Sequence, residues 1–219
     1  GVVAFIGIAA LLPATLQKAP AAGLMEQVRV LGSGRLLLAF GMTALGYGGT
    51  FVTFTFLASI LQDITGFAES TVSLVLVLYG LAIAAGNLAG GRIADRNPAK
   101  ALGWLFGLQA LVLLIFTFTA PSAPAALVTL VALGFLSFAN VPGLQLYVVQ
   151  LAKRFRPNAV DVASALNIAA FNLGIAVGAW IGGLVATPWV GALLVSGALV
   201  LTLVSSSLDR RQADLAQTV

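Results

Sequence analysis

The feature that most constrains this chain is a series of long apolar runs separated by short polar breaks. Six are full length: Leu36–Leu61, Thr71–Gly91, Ala101–Ala120, Ala125–Gln150, Val162–Ala186 and Val190–Leu208. Each supplies the ~20 residues that a helix rising ~1.5 Å per residue needs to cross a ~30 Å hydrocarbon core. Strands do not fit, because unpaired amides cannot face lipid and the alternation of a barrel strand is absent. Buried helices of a soluble protein are the competing reading, but that protein needs a solvated exterior. Charged residues make up 8% of the chain and hydrophobic residues 60%, with a mean hydropathy of +1.05. A soluble domain carries roughly a quarter of its residues as charges. The chain therefore reads as all-α, a polytopic transmembrane helical bundle of six full helices.

The breaks carry loop punctuation: Gly66 between Asp63 and Glu69, Pro121 with Pro124, Pro157 with Asn158, and Pro188. Ser70 and Asp161 stand just before helical runs and are expected as N-caps.

Numbering the breaks alternately sorts the charges. One side receives Lys18, Arg29, Arg35, Arg92, Arg96, Lys100, Lys153, Arg154, Arg156, Arg210 and Arg211, which are all eleven basic residues. The other side receives Asp63 and Glu69. A miscounted span would scramble this separation. The positive-inside rule makes the basic side, and the C-terminus with it, cytoplasmic. The same parity places Gly1 on the far side, at the start of a run too short to span. The expected organisation is then the truncated end of a preceding helix at 1–13, a cytoplasmic linker at 14–35, a six-helix domain at 36–208 and a cytoplasmic tail at 209–219. A cleaved signal peptide is the alternative for the start, but it would not leave half a helix. Within the linker, Leu24–Leu31 can form an interfacial helix.

The six runs fall into two similar triplets. Ala44-Leu45-Gly46-Tyr47 lies over Ala132-Leu133-Gly134-Phe135, and without a gap Gln62 then falls over Gln150. Tyr79 to Gly86 lies over Phe171 to Gly178, and Gly90-Gly91 over Gly182-Gly183. Three helices followed by three similar helices enter the membrane from opposite sides, a 3+3 inverted repeat of the kind that builds many secondary transporters. Coincidence within a small alphabet is the competing reading, and two ungapped matches in the same order weigh against it. Ala170, Gly174, Gly178 and Gly182 recur every four residues, with Ala82, Gly86 and Gly90 matching them in the first triplet. Such faces let helices approach closely in lipid.

The most specific local motif is Gly91-Arg92-Ile93-Ala94-Asp95-Arg96-Asn97-Pro98-Ala99-Lys100, between two apolar runs. It resembles the cytoplasmic loop of the major facilitator superfamily, Gly-x-x-x-Asp-Arg/Lys-x-Gly-x-Lys/Arg. Gly91, Asp95, Arg96 and Lys100 match, and Pro98 replaces the usual Gly. The resemblance covers nearly the whole chain and implies that the full runs are helices seven to twelve, with 1–13 the end of helix six. The stretch Ser164 to Gly183 looks like helix eleven of the arabinose and purine-nucleoside efflux permease group of drug:proton antiporters. Gly46 to Phe51, continuing through Asp63 to Phe67, looks like helix seven of the same group. Asp95 at a helix end can bond the N-terminal amides of a neighbouring helix and pair with Arg96 or Arg92, a contact that would break on inward opening. A solvated turn that sets topology is the alternative.

Polar residues within the spans are informative because an amide in lipid needs a partner or a wet cavity. Asn140, Gln145, Asn167 and Asn172 are of this kind. Tyr47, Thr50, Phe51 and Phe54 share one helical face at i, i+3, i+4 and i+7. In the superfamily the first helix of each triplet lines the cavity and the third faces lipid. The resemblance thus implies a substrate cavity of Tyr47, Thr50, Phe54, Asn140, Gln145, Asn167, Phe171 and Asn172, and nearly featureless lipid-facing helices at Ala101–Ala120 and Val190–Leu208. Interhelical hydrogen bonding and plain packing are the alternatives for these side chains.

The chain has no Cys and no His, which removes thiolate nucleophiles, disulfides, the usual zinc ligands and imidazole acid–base chemistry. Asp95 and Asp161 stand in basic turns. No cofactor, metal site or enzymatic activity is expected. The net charge of +4 lies at loop positions, which argues against nucleic acid. The interior of every span lacks Asp, Glu, Lys and Arg, so a proton carrier is expected in a missing N-terminal half. The leading expectation is half of a proton-coupled secondary exporter of small polar or amphiphilic molecules (sugar, nucleoside or drug-like), working by alternating access in the bacterial inner membrane. Its partners would be the lipid bilayer, the N-terminal half, a small-molecule substrate and protons. Export rests on the resemblance alone. A half-protein without independent transport and a facilitative, channel-like permease are the alternatives.

Overall fold

In lipid, backbone amides must be satisfied within the segment that carries them, and each apolar run does so as a helix. The structure, a computed structural model, describes Val2, Phe5, Gly7, residues 24–185 and residues 187–217. The rest of the expected helix end at 1–13, the linker as far as 23 and the end of the tail lie outside the described residues. The described helices are α1 (Leu24–Leu31), α2 (Gly34–Phe54), α3 (Glu69–Ala94), α4 (Pro98–Thr119), α5 (Ala123–Phe155), α6 (Val160–Val185) and α7 (Pro188–Gln217). Among the described residues six helices are long and apolar enough to cross a membrane, and these are α2 to α7 with their short extensions. α1 packs across the ends of α2 and α6, burying Val30 and leaving Met25, Val28 and Leu31 outward.

Several helices run past their apolar cores into polar sequence. α5 includes Lys153 and Arg154, α7 continues through the residues 209–217 expected as a tail, and Arg35 belongs to α2 instead of a linker. The expected N-caps also differ. Ser70 lies inside α3, which starts at Glu69 behind Ala68. Asp161 lies in the first turn of α6, behind a 3-10 turn at Pro157–Ala159. Both helices begin earlier than their apolar runs and place a carboxylate, Glu69 or Asp161, in the first turn, where the helix dipole favours negative charge. A side-chain cap does hold α4. Asn97 Oδ1 accepts from the Lys100 amide at 3.0 Å, with Pro98 next in line, where its fixed φ suits a helix start.

The run Leu36–Leu61 is not one straight helix. α2 ends at Phe54, and after a turn at Leu57–Ser59 the chain widens into a π-helical turn at Ile60–Ile64. The Thr65 amide reaches back five residues to the Ile60 carbonyl at 3.1 Å. The loop then turns at Gly66, whose φ of +79° a side chain rarely adopts. Thr65 Oγ1 donates to the Ala120 carbonyl at 2.7 Å, tying this loop to the α4–α5 loop at the same end of the bundle.

The packing follows the repeat. α2 packs most extensively on α6, and α5 packs to the same extent on α3. The first helix of each triplet thus lies on the second helix of the other. α2 also packs on α7 and α5 on α4, again as equivalents, and α4 meets α7 across the pseudo-symmetry axis. Glycines make the main crossings possible. A Cβ on Gly86 or Gly90 would overlap the backbone of Phe135 or Ala139, and one on Gly178 or Gly182 that of Gly48 or Val52. The contacted positions on α2 and α5 agree with the sequence repeat to within one residue. α3 and α6, the second helices, are the least buried spans.

Candidate functional site

Four layers of side chains cross the bundle, and α2 contributes to all of them. At the basic end, Arg35 pairs with Asp209 and donates to the Ser205 carbonyl at 3.0 Å. Tyr147 donates to Asp209 Oδ2 at 3.0 Å and shares a 2.7 Å hydrogen bond with Ser205 Oγ. The Arg35 guanidinium also lies 5.9 Å from the centre of the Phe155 ring, on the side that attracts cations. This cluster joins α2, α5 and α7.

Two turns further into α2, Thr43 Oγ1 donates to Asn167 Oδ1 at 2.7 Å. Asn167 Nδ2 donates to Gln145 Oε1 at 2.9 Å, and Gln145 Nε2 donates to Ser164 Oγ. Asn167 is fully buried and both ends of its amide are used, whereas Gln145 is half-exposed.

An aromatic layer follows. Tyr47, itself buried, meets Phe171 edge-on at 4.4 Å and lies 5.9 Å from Phe51 and from Phe138. Phe51 contacts Phe54 at 5.1 Å, and Phe54 stacks on Tyr79 at 5.7 Å. Phe51, Phe54, Phe138 and Phe171 are half-exposed, so this layer presents ring surface outward from α2, α5 and α6.

The fourth layer is closed. Gln109 Nε2 donates to Thr50 Oγ1 at 2.7 Å and approaches Ser137 Oγ at 3.5 Å. Asn140 Nδ2 donates to Gln109 Oε1 at 2.9 Å. All four side chains are buried, and Asn140 Oδ1 has no partner. Gln109 is a departure from expectation, since α4 and α7 were expected to be nearly featureless and lipid-facing. Each does expose one apolar face, with Trp104 and Leu111 on α4 and Leu193 and Leu203 on α7. Their inner faces carry buried Gln109, Thr202 and Ser205. The lone Gln inside an otherwise apolar run is the signal that identifies the first of these.

Of the eight expected cavity residues, Tyr47, Thr50, Asn140 and Asn167 are buried between helices, and Phe54, Gln145 and Phe171 are half-exposed. Asn172 lies on the outer face of α6 and donates to the Ile168 carbonyl at 3.0 Å. Its equivalent position on α3 is Gly80, also exposed. The switch-loop residues stay together at the basic end. Asp95 ends α3 and is exposed, as are Arg96 and Lys100. Among the described residues Asp95 makes no ion pair with Arg92 or Arg96, and the Lys100 amide at the start of α4 is held by Asn97. No group of three or more metal-ligating side chains occurs among the described residues.

The inverted packing of six spanning helices around an uncharged interior, with a basic loop at Gly91–Lys100, defines a class: a polytopic membrane transporter domain built from two inverted triplets. The chain belongs to the Major Facilitator Superfamily, which it matches over residues 36–214. It is 50% identical over 218 residues to the MFS-type transporter YtbD of Bacillus subtilis, covering 96% of this chain and 55% of that protein. It is 34% identical over 180 residues to the inner membrane transport protein YdhP of Escherichia coli, covering 81% of this chain and 45% of that one. A probable sugar efflux transporter of Helicobacter acinonychis is 32% identical over 167 residues, covering 75% and 41%. The chain thus spans about half the length of the relatives it matches. The relatives that it matches are named as transporters, not as enzymes.

Proposed function

We propose that this chain is the C-terminal half of a secondary exporter. It would move small polar or amphiphilic molecules in exchange for protons by alternating access, in a bacterial inner membrane with its C-terminus cytoplasmic. The observation that carries the reading is the half-exposed face of Phe51, Phe54, Phe138, Phe171 and Gln145 around Tyr47. It offers rings for stacking and one amide for hydrogen bonding, which suits an uncharged amphiphile better than an ion. A channel would instead need a ring of charges or carbonyls at a constriction. The names of the sugar efflux and inner membrane relatives support direction and location. The sorting of basic side chains to one end of the bundle supports a cytoplasmic C-terminus.

The outer faces of α3 and α6 support a missing half as partner. They carry small residues at equivalent positions, exposed Ala84 and half-buried Gly91 on α3 and exposed Ala176 and Gly183 on α6, and α3 adds exposed Gly80. A Cβ on Gly80 or Gly91 would meet nothing within 4 Å. Such surfaces suit close approach of further helices. The proton-titrating acid then belongs to that other half.

Inverted membrane vesicles containing the full-length transporter provide the test. An imposed pH gradient is expected to drive accumulation of a labelled sugar or a fluorescent amphiphile, and a protonophore to abolish it. Phe171→Ala is expected to raise KM roughly three- to tenfold, the value of one aromatic contact. Accumulation that ignores the protonophore would refute proton coupling, and an unchanged KM in Phe171→Ala and Phe138→Ala would refute the aromatic face as the binding surface. Expression of residues 1–219 alone separates a half without independent activity, since it is expected to insert but not transport.

A further inference from the structure

A groove of about 830 Å³ opens between the start of α4 and the end of α7, away from the aromatic face. Its α4 wall carries Lys100, Gly103, Trp104 and Gly107, and its α7 wall Leu199, Leu203, Ser206 and Arg210. On α7 these follow the spacing i, i+4, i+7, i+11, and on α4 the pairs Lys100/Trp104 and Gly103/Gly107 are each four apart, so each wall is one helical stripe. Both stripes change character in the same order. The basic end holds Lys100 and Arg210, Ser206 follows, and the deeper part is apolar. Arg210 to Leu199 spans eleven residues, roughly 16 Å of helix.

Two features distinguish this groove from loose packing. The first is charge. Asp209 also lines the rim, but both of its carboxylate oxygens are engaged, one by Arg35 and the other by Tyr147. Lys100 and Arg210 are exposed and make no ion pair among the described residues. Among the described residues the rim therefore carries two positive charges that no carboxylate pairs. The second is the space itself. Where glycines serve helix crossing, as at Gly86 and Gly178, a Cβ would overlap a neighbouring backbone. At Gly103 it would meet Thr202 Cγ2 at 4.0 Å, and at Gly107 Leu199 Cδ2 at 3.8 Å. A Cβ fits at both positions, so these glycines are not needed for α4 to meet α7. They leave a trough open toward the lipid side, where Trp104 is 68% exposed.

We propose that an anionic phospholipid occupies this groove, with its phosphate between Lys100 and Arg210 and an acyl chain along Gly103 and Gly107. Basic rims over apolar troughs between spanning helices bind acidic headgroups through charge and hold the tail by shape. A free anion would use the rim and leave the trough empty, so the apolar depth selects a lipid. Trp104 lies one turn from Lys100 near the start of α4, and an indole beside a basic helix end suits a membrane interface. The site lies outside the proposed substrate surface and does not depend on what the protein transports.

Native mass spectrometry of the full-length transporter in detergent tests the assignment. The protein is titrated with dioleoylphosphatidylglycerol, with dioleoylphosphatidylcholine and with inorganic phosphate. The wild type is expected to retain one more phosphatidylglycerol at low lipid than the double variant Lys100→Glu/Arg210→Glu, whose affinity at that site falls by at least about thirtyfold, the value of two lost basic groups. Gly107→Leu, which fills the trough and leaves the rim intact, is expected to lose the same lipid. Phosphatidylcholine should show no difference between the proteins, and millimolar phosphate should not displace the lipid. Equal retention of phosphatidylglycerol by the wild type and both variants overturns the site. Retention of phosphatidylcholine to the same extent overturns the headgroup assignment, and full displacement by phosphate shows an anion site in place of a lipid site. Arg210→Ala, an exposed change that leaves the fold intact, decides the headgroup claim if the double variant is poorly expressed.

Discussion

Gln109 is the side chain on which the closed layer depends. It donates to Thr50 and accepts from Asn140, and so joins α2, α4 and α5 in an apolar interior. An interhelical hydrogen bond in lipid contributes on average only about 0.6 kcal/mol. Leaving a buried amide with no partner costs more, about 1–3 kcal/mol. Asn140 Oδ1 is already unpaired, so Gln109→Leu would strip Asn140 of its remaining contact. That variant is expected to lose about 1–3 kcal/mol of stability in mixed-micelle unfolding, and adding Asn140→Leu is expected to restore part of the loss. A double variant less stable than the sum of the two single changes would refute this coupling. Asn140, Asn167 and Gln145 were recognisable from sequence because an amide in an apolar span always needs an explanation. Of their partners, Thr50 stood out by its place on the aromatic face, whereas Thr43, Ser137 and Ser164 did not, since hydroxyls in helices also bond their own preceding carbonyls, as Thr43 does to Ala39 at 3.2 Å.

Among the elements, the second helix of each triplet was the most legible. The four-residue spacing of Ala82, Gly86 and Gly90, and of Ala170, Gly174, Gly178 and Gly182, predicts a face pressed against another helix, and all seven are buried. What lies opposite is set by tertiary packing, which puts α3 on α5 and α6 on α2 across the triplets. The break after Phe54 carried no signal, because no Pro or Gly lies between Thr50 and Ile64 and the widening at Ile60–Ile64 arises from backbone pairing alone. The two kinds of glycine make opposite predictions. Gly178→Val would drive a side chain into the Gly48 backbone and is expected to cost about 3 kcal/mol, at the upper end for overpacking, seen as a loss of monodisperse protein after detergent extraction. Gly80→Ala faces open space and is expected to leave this bundle intact while weakening assembly with the proposed N-terminal half, measured by co-purification of the two halves. Equal behaviour of the two variants in both measurements would remove the distinction between inner and outer glycine faces.

For the molecule as a whole, the charge separation follows from counting spans, and the structure supplies the six spanning helices that the count requires. The Arg35–Asp209 pair was hidden, because it joins residues 174 apart and both stood in segments expected to lie outside the bundle. Their side chains are only 12% and 29% exposed, so this pair clamps the basic ends of α2 and α7 instead of decorating the surface. The native chain contains no Cys, which makes orientation directly measurable. Arg96→Cys and Lys153→Cys are expected to resist a membrane-impermeant maleimide on intact cells and to react after permeabilisation. Asp63→Cys, at the opposite end and exposed, is expected to react without it. Reversed labelling would invert the protein in the membrane, and would move the lipid groove to the other leaflet together with the proposed direction of transport. Labelling of all three in intact cells would contradict the two-ended bundle itself, because no arrangement of six spanning helices connected in this order exposes Asp63 and Lys153 on one side.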